Sequence, residues 1–201
     1  MPGLLIIHEN RGLNAHIEDV ARRAALAGYI AVAPDGLSVA GGAPADQEKA
    51  RDLFAATDRA TIDADIIAGI PYIASRSDGN GKIGAVGFCY GGGMALRCAA
   101  ERSEVNAAVC FYGSALKPEQ IANVKAPLMM HYAGKDARIN SGINDFRTAL
   151  DAQGIAYSLH MYPGTQHGFH NDSSAARYDV AAAKLAWERT IALFDSTLKS
   201  T

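Results

Sequence analysis

The turn Gly87-Phe88-Cys89-Tyr90-Gly91 carries the clearest chemical signal in the sequence. An apolar run of strand length precedes it and a helix-forming run follows it, so the cysteine is predicted on a strand-to-helix turn. A G-x-C-x-G sequence there has the pattern of a nucleophile elbow with a thiol in place of the hydroxyl. The glycines are expected because side chains beside the nucleophile would collide with the turn or its helix. The alternative is a glycine-rich turn with an inert buried cysteine.

An acidic residue and a histidine follow later strands in the order that such an elbow requires. Asp136 comes after a predicted strand at 127–132, and His167 comes after one at 156–162. The carboxyl ends of parallel strands meet at one edge of a sheet, so we expect both residues to lie near Cys89. The order nucleophile, acid, histidine is that of the α/β-hydrolase triad. Taken singly, Asp136 could be a solvated loop acid and His167 a satisfied polar residue, so the hypothesis depends on their coincidence.

Hydrophobic periodicity predicts the strands and helices that hold these residues. Apolar runs predict six strands, at 4–7, 29–33, 82–86, 107–112, 127–132 and 156–162. Helical stripes lie between them, and Pro71 should kink or divide the helix predicted over 58–76. Strands alternating with helices predict an α/β fold with a mainly parallel sheet of about six strands. Residues 1–201 are expected to form a single domain.

Composition excludes several classes of function. The net charge is −2 with no basic block, so neither nucleic acid nor a membrane surface is a predicted partner. No apolar run approaches the roughly 20 residues needed to span a bilayer. The cysteines, Cys89, Cys98 and Cys110, have neither disulfide-framework nor metal-ligand spacing, and no metal or cofactor is predicted. No signal peptide follows Met1, so a cytoplasmic location is expected.

Four motifs resemble those of the dienelactone hydrolase family of α/β hydrolases, and the resemblance extends over essentially the whole chain. They are His8-Glu9-Asn10-Arg11-Gly12-Leu13, Gly87-Phe88-Cys89-Tyr90-Gly91-Gly92, Gly134-Lys135-Asp136 and His167-Gly168-Phe169. The resemblance implies an α/β-hydrolase fold and a triad of Cys89, Asp136 and His167. It also implies an oxyanion hole built from the backbone amides of Asn10 and Tyr90.

The same resemblance implies that Glu9 holds the resting thiol. We expect the elbow helix and His167 to lower the Cys89 pKa from its usual value near 8.5. A carboxylate beside the sulfur would oppose ionisation and could accept the thiol proton in a hydrogen bond. This requires the strand that ends at His8 to neighbour the elbow strand. The alternative is that Glu9 caps or pairs locally, for example with Arg11.

The sequence departs from the family pattern in two places. Members usually begin with extra strands before the one at 4–7, and their absence could reflect a natural minimal form, a wrongly assigned start or a truncation. Without them the strand at 30–33 would expose an apolar edge, through which the protein is expected to form a homodimer or aggregate. The member acting on chlorinated dienelactones binds the substrate carboxylate through an arginine just after the catalytic histidine. This sequence has His170-Asn171-Asp172 there, and Arg11 is a candidate substitute.

These residues favour a hydrolase that acts on a small ester or lactone without a cofactor. His167, oriented by Asp136, would take the Cys89 proton, and the thiolate would attack an acyl carbonyl to form an acyl-enzyme. Because a thiolate leaves more readily than an amine, lactones, enol esters and aryl esters are favoured over amides. Two other classes stay open. One is a thiol redox protein that pairs Cys89 with Cys98 or Cys110, and the other is a catalytically silent ligand-binding protein of the same fold.

Overall fold

The computed structural model describes residues 1–200, which include a sheet whose neighbouring strands all run parallel. The strands are β1 (Gly3–Ile7), β2 (Ile30–Val32), β3 (Ile83–Phe88), β4 (Val105–Phe111), β5 (Leu128–Lys135) and β6 (Tyr157–Gln166). Their order across the sheet is β2-β1-β3-β4-β5-β6. Strand β1 therefore neighbours β3, as the hypothesis for Glu9 requires.

Helices follow or precede most strands. They are α1 (Ala15–Leu26), α2 (Gln47–Ala56), α3 (Arg59–Ile67), α4 (Gly69–Ala74), α5 (Tyr90–Glu101), α6 (Pro118–Ile121), α7 (Ala137–Asn140), α8 (Ile143–Ala152) and α9 (Val180–Leu198), with a 3-10 turn at Ser38–Ala40. Among residues 1–200, no helix is both long enough and apolar enough to cross a bilayer.

Two hydrophobic cores lie on opposite faces of the sheet. Along β1, Leu4 and Ile6 pack with α1 and α9, whereas Leu5 and Ile7 pack with the helices α2 to α5. This alternation follows from the two-residue period of a strand. All four side chains are 0% exposed, and burying each contributes about 1.5–3 kcal/mol. The continuous apolar run at 4–7 therefore reflects a strand that is covered on both sides, as predicted.

Proline divides the helix predicted over 58–76. Helix α3 ends at Ile67 and α4 begins at Gly69. Pro71 lacks the amide hydrogen that would bond the carbonyl oxygen of Ile67, so a continuous helix would leave that oxygen without its partner. The prediction that Pro71 kinks or divides this helix is confirmed.

Strand β6 is longer than the sequence predicts. The apolar run predicts a strand that ends at residue 162, but the strand continues through Gly164 to Gln166. The pairing with β5 shifts register between Ala133 and Lys135, and an irregular ladder at a sheet edge tolerates a proline. The consequence is that His167 follows the strand directly, close to the end of β5.

Strand β2 forms one edge of the sheet, outside β1, as expected. It has three residues, Ile30–Val32, whose side chains are half-buried. It pairs with β1 on one side only. Dimerisation through this edge stays a prediction.

Candidate active site

Cys89 stands between β3 and α5 on a strained turn. Its φ of 55° and ψ of −113° lie outside the regions that a residue with a side chain prefers, at a cost of about 1–3 kcal/mol. A Cβ on Gly87 would lie 1.9 Å from the carbonyl oxygen of Gly91, and a Cβ on Gly91 would lie 2.3 Å from that of Ile7. The flanking glycines are thus required by the close packing of the turn on its own helix and on β1, as predicted.

The environment of Cys89 favours the protonated thiol. Burial, followed by the charge of Glu9, raises the pKa of Cys89 to about 11, while the backbone N–H of Tyr90 and the charge of Arg138 act in the opposite direction. The expectation that the helix and histidine lower this pKa is wrong, because desolvation of the half-buried sulfur outweighs the helix N-terminus. The resting thiol therefore keeps its proton at neutral pH.

His167 and Asp136 are in direct contact. The distance from His167 Nδ1 to Asp136 Oδ2 is 2.5 Å. Asp136 is also the N-cap of α7, where its other oxygen, Oδ1, accepts a hydrogen bond from the Ile139 amide at 3.4 Å. Each carboxylate oxygen thus has one partner, which fixes the side chain. A carboxylate at Nδ1 favours the tautomer whose Nε2 is free to accept a proton.

All of the residues predicted for the site except Asp136 and Tyr90 line one cavity of about 240 Å³. Its lining comprises Glu9, Asn10, Arg11, Cys89, Arg138, His167 and Arg177. A second cavity of about 240 Å³ adjoins Cys89 and is lined by Cys89, Tyr90, Tyr112, Ser114, Arg138 and Ile139. A larger cavity of about 550 Å³ lies along α5 and shares Tyr90 and Ser114 with the second. We assign the chemistry to the two smaller cavities, because they contain the thiol.

Glu9 is held by an amide and not by the thiol. The side chain is 4% exposed, and Glu9 Oε2 accepts a hydrogen bond from Asn171 Nδ2 at 2.9 Å. Asn171 Oδ1 accepts from the amide and hydroxyl of Ser173, which sets the orientation of the Asn171 amide. In the part of the chain that the structure describes, Cys89 Sγ hydrogen-bonds to neither Glu9 nor His167. Glu9 therefore acts on the resting thiol through its charge.

Three arginines approach the site in different ways. Arg11 lines the cavity but is held by α2, because its Nε donates to the carbonyl oxygen of Gln47 at 3.2 Å and its Nη2 lies 3.5 Å from Glu48 Oε1. The alternative of a local pair between Arg11 and Glu9 does not occur within residues 1–200. Over that same range, neither Arg138 nor Arg177 forms an ion pair with a carboxylate.

Arg138 and Arg177 were missed by the sequence analysis. Arg138 lies two residues after Asp136, and this position at the end of a strand was a usable signal. Arg177 comes from the loop between β6 and α9, and its guanidinium packs over Gly168, 3.3 Å from where a Cβ would lie. Only the folded loop brings it beside His167, so no local pattern could have indicated it.

The two amides implied as an oxyanion hole are available. Asn10 follows β1, and Tyr90 is the first residue of α5. In residues 1–200 neither N–H donates to a backbone or side-chain oxygen. Free amides at a helix N-terminus and at a strand end are the donors that stabilise a developing oxyanion.

Comparison with known proteins identifies the family. Residues 1–198 match the model of the dienelactone hydrolase family. A provisionally named carboxymethylenebutenolidase from Salmonella typhi is 31% identical over 209 aligned residues, which cover 96% of this chain and 77% of that protein. The crystal structure of a provisionally named dienelactone hydrolase from Klebsiella pneumoniae gives a TM-score of 0.83 at 28% identity, covering 96% of this chain and 86% of that one.

A more distant neighbour shows the fold alone. An acylaminoacyl peptidase from Pyrococcus horikoshii gives a TM-score of 0.67 at 15% identity, over 99% of this chain and 38% of that chain. Together with the parallel sheet and its flanking helices, these neighbours confirm the predicted α/β-hydrolase fold. The chain belongs to the dienelactone hydrolase family and is a hydrolase of ester or lactone bonds.

Proposed function

We propose that this protein hydrolyses activated esters or lactones through an acyl-enzyme on Cys89, with His167 as general base and Asp136 as its orienting acid. The observation that carries the proposal is the 2.5 Å contact between His167 Nδ1 and Asp136 Oδ2 at a cavity that also contains the strained cysteine. A nucleophile, a base and a group that orients the base are the three parts of nucleophilic acyl transfer.

The reaction follows from these roles. The proton of Cys89 passes to His167 Nε2 as Sγ bonds the carbonyl carbon, and the carbonyl π electrons move onto oxygen. The amides of Asn10 and Tyr90 stabilise that oxyanion, a contribution of about 2.7–4 kcal/mol per donor in a known case. Collapse expels the alkoxide, which takes the proton from His167. The imidazole then deprotonates water, and attack of the hydroxide on the thioester releases the acid and restores the thiol.

Glu9 is proposed to gate the nucleophile. Its charge contributes to the raised pKa of Cys89, so the resting sulfur is a thiol. A permanent thiolate would be open to oxidation, whereas a thiol at neutral pH is far less so. Under this proposal substrate binding and proton transfer to His167 produce the thiolate only when an acyl carbonyl is present.

The arginines support a substrate whose acid part carries a negative charge. Within residues 1–200, Arg138 and Arg177 lack carboxylate partners, and both line the cavity that contains Cys89. Guanidinium groups bind carboxylates in charge-assisted hydrogen bonds. Arg11 lines the same cavity but is already engaged by Glu48, so we propose it as an outer contact.

The redox alternative is less well supported by the geometry. Cys98 and Cys110 are both 0% exposed, and burial raises the pKa of each thiol to about 12. A thiol that is buried and protonated is a poor resolving partner for Cys89. The alternative of a catalytically silent ligand-binding protein does not require a second reactive thiol. Only an assay of turnover distinguishes it from an enzyme.

Turnover of an activated aryl ester tests the proposal. Cys89→Ala should lower kcat/KM by about 10⁴-fold or more, because it removes the nucleophile. Cys98→Ala is the matched control, since it removes a buried thiol from the same helix, and it should retain activity. Undiminished activity in Cys89→Ala would end the proposal, and an inactive wild-type protein on a panel of esters and lactones would favour a ligand-binding role.

A further inference from the structure

Tyr112, the first residue after β4, combines two unfavourable features. Its φ is 41°, a left-handed conformation that a bulky residue rarely adopts. Its side chain is 0% exposed, and within residues 1–200 its hydroxyl has no hydrogen-bond partner closer than 3.5 Å. A strained backbone and an unpartnered buried donor at one residue call for a functional explanation.

The ring of Tyr112 lies at the centre of the site. Its centroid is 5.0 Å from that of His167, at an interplanar angle of 57°, and it lines the second cavity beside Cys89. Burial, then the charges of Glu9 and Cys89, raise the pKa of the phenol well above its usual value; the charge of Arg177 acts in the opposite direction, and the Glu9 carboxylate raises the pKa further as a nearby acceptor for the phenol proton. The phenol therefore stays protonated and can act as a donor over the working pH range.

Glu9 offers the matching acceptor. One of its oxygens, Oε2, is bonded by Asn171 Nδ2 at 2.9 Å. The hydrogen bond from Asn171 is the one that the Glu9 carboxylate accepts within residues 1–200, so Oε1 is left for a second donor. Glu9 lines one of the two cavities that contain Cys89 and Tyr112 lines the other, and the carboxylate is close enough to the phenol to affect its pKa.

We propose that Tyr112 is a positioning residue that donates a hydrogen bond to the Glu9 carboxylate when Cys89 gives up its proton. The inference rests on the proposed role of Cys89 as nucleophile. In that step the proton leaves Sγ for His167 Nε2, Glu9 stays ionised, and Tyr112 keeps its own proton while its O–H turns to Oε1. Catalytic hydrogen bonds that are long in a free enzyme commonly tighten during the reaction. With two donors, the carboxylate repels the new thiolate less strongly.

The pH dependence of Cys89 alkylation by iodoacetamide tests this inference. Tyr112→Phe should slow alkylation at pH 8 by about tenfold, because one pKa unit is a tenfold change in thiolate. The rate well above the pKa should not change. In a Glu9→Gln background, Tyr112→Phe should change the rate less than about twofold, since the charge on which the phenol acts is gone.

Two controls separate positioning from packing. Tyr29→Phe removes a buried hydroxyl that donates to Asp195 Oδ1 at 2.6 Å, and it should leave Cys89 alkylation unchanged. Asn171→Ala removes the other donor to Glu9 and should slow alkylation in the same direction, again only while Glu9 is present. This variant carries the test even if Tyr112→Phe fails to fold.

Equal slowing by Tyr112→Phe in both backgrounds would overturn the inference, and so would no slowing in either. The first result would assign the phenol to packing or to the sulfur itself. The assay reads Cys89 without any substrate, so its outcome is independent of ester turnover. Failure of the proposed function would instead appear as retained turnover in Cys89→Ala.

Discussion

The ends of β3 and β4 invite comparison. The two strands are parallel neighbours, with Phe88 opposite Phe111, and the next residue on each is Cys89 or Tyr112. Among residues 1–200 these two are the non-glycine residues with positive φ, 55° and 41°. The turns are also joined, because the amide of Cys89 donates to the carbonyl oxygen of Phe111 at 2.9 Å.

The two strained residues differ in what they present. Cys89 is half-buried and borders both small cavities, so its turn brings a reactive atom to the substrate. Tyr112 is fully buried, and its turn sets an aromatic ring against His167 with an unpartnered hydroxyl beside Glu9. The strained turn at Cys89 thus exposes the nucleophile to the cavities, whereas the strained backbone at Tyr112 places an aromatic ring beside the catalytic residues.

The largest effects are expected for the two residues that activate Cys89 at the end of β3. His167→Ala should lower kcat/KM by about 10⁵-fold or more, and Asp136→Asn should cost about tenfold to a hundredfold less, because its role is to orient the base. Steady-state kinetics on an activated ester measure both. His160→Ala, which changes another histidine of the same region, should stay near wild type. A larger loss in Asp136→Asn than in His167→Ala would contradict these roles.

An intermediate effect is expected for Arg138, which borders the cavities at both strand ends. Arg138→Ala should raise KM for a carboxylate-bearing ester by about tenfold to a hundredfold, the value of a charge-assisted hydrogen bond. KM for a neutral ester of the same alcohol should change little. Arg147→Ala, at an exposed position on α8, is the matched control. Equal changes for both esters would argue against an anionic substrate.

The smallest effect concerns Glu9, which faces both strained residues. Because the carboxylate charge raises the pKa of the Cys89 thiol, Glu9→Gln should lower that pKa and increase the thiolate fraction at neutral pH. Alkylation by iodoacetamide should then be about tenfold faster. The difference should disappear above pH 11 or so, where the wild-type thiol is itself ionised.

Turnover by Glu9→Gln should not rise in proportion, because substrate binding and proton transfer to His167 already produce the thiolate in the wild-type protein. Glu188→Gln, which changes an exposed glutamate on α9, controls for the substitution itself. Equal or slower alkylation in a folded Glu9→Gln protein would refute the gate and leave Glu9 with a structural role.

The strained turn after β3 could be predicted from the sequence, whereas the strained residue after β4 could not. Gly87 and Gly91 are required because a Cβ on either would overlap neighbouring backbone. This requirement produces a recognisable sequence motif around Cys89. Tyr112 ends an ordinary apolar strand run. Its conformation depends on the packing of Gly113, where a Cβ would lie 2.3 Å from the Gly93 amide nitrogen. Such tertiary contact leaves no local pattern.

The same distinction holds for the rest of the molecule. The strands follow from periodicity and the parallel sheet from the alternation of strands with helices, which local residues determine. The order of the strands across the sheet was implied by the family resemblance. The direction of the shift in the Cys89 pKa does not follow from local residues, because the burial of the sulfur depends on how β1, β3 and the loop before α9 pack around it. Sequence indicated the negative charge of Glu9 beside the thiol but not the positive charge of Arg138, and the fold determines how strongly desolvation acts on the sulfur.

Trapping the acyl-enzyme would show whether Cys89 is the nucleophile. Wild-type protein is mixed with an activated aryl ester, quenched in acid during the first turnover, digested and analysed by mass spectrometry. The account predicts that the peptide containing Cys89 gains the mass of the acyl group, and that a second, later quench shows the label lost by hydrolysis. An acyl group found only on Cys98 or Cys110, or turnover with no acylated cysteine at any quench time, would contradict it.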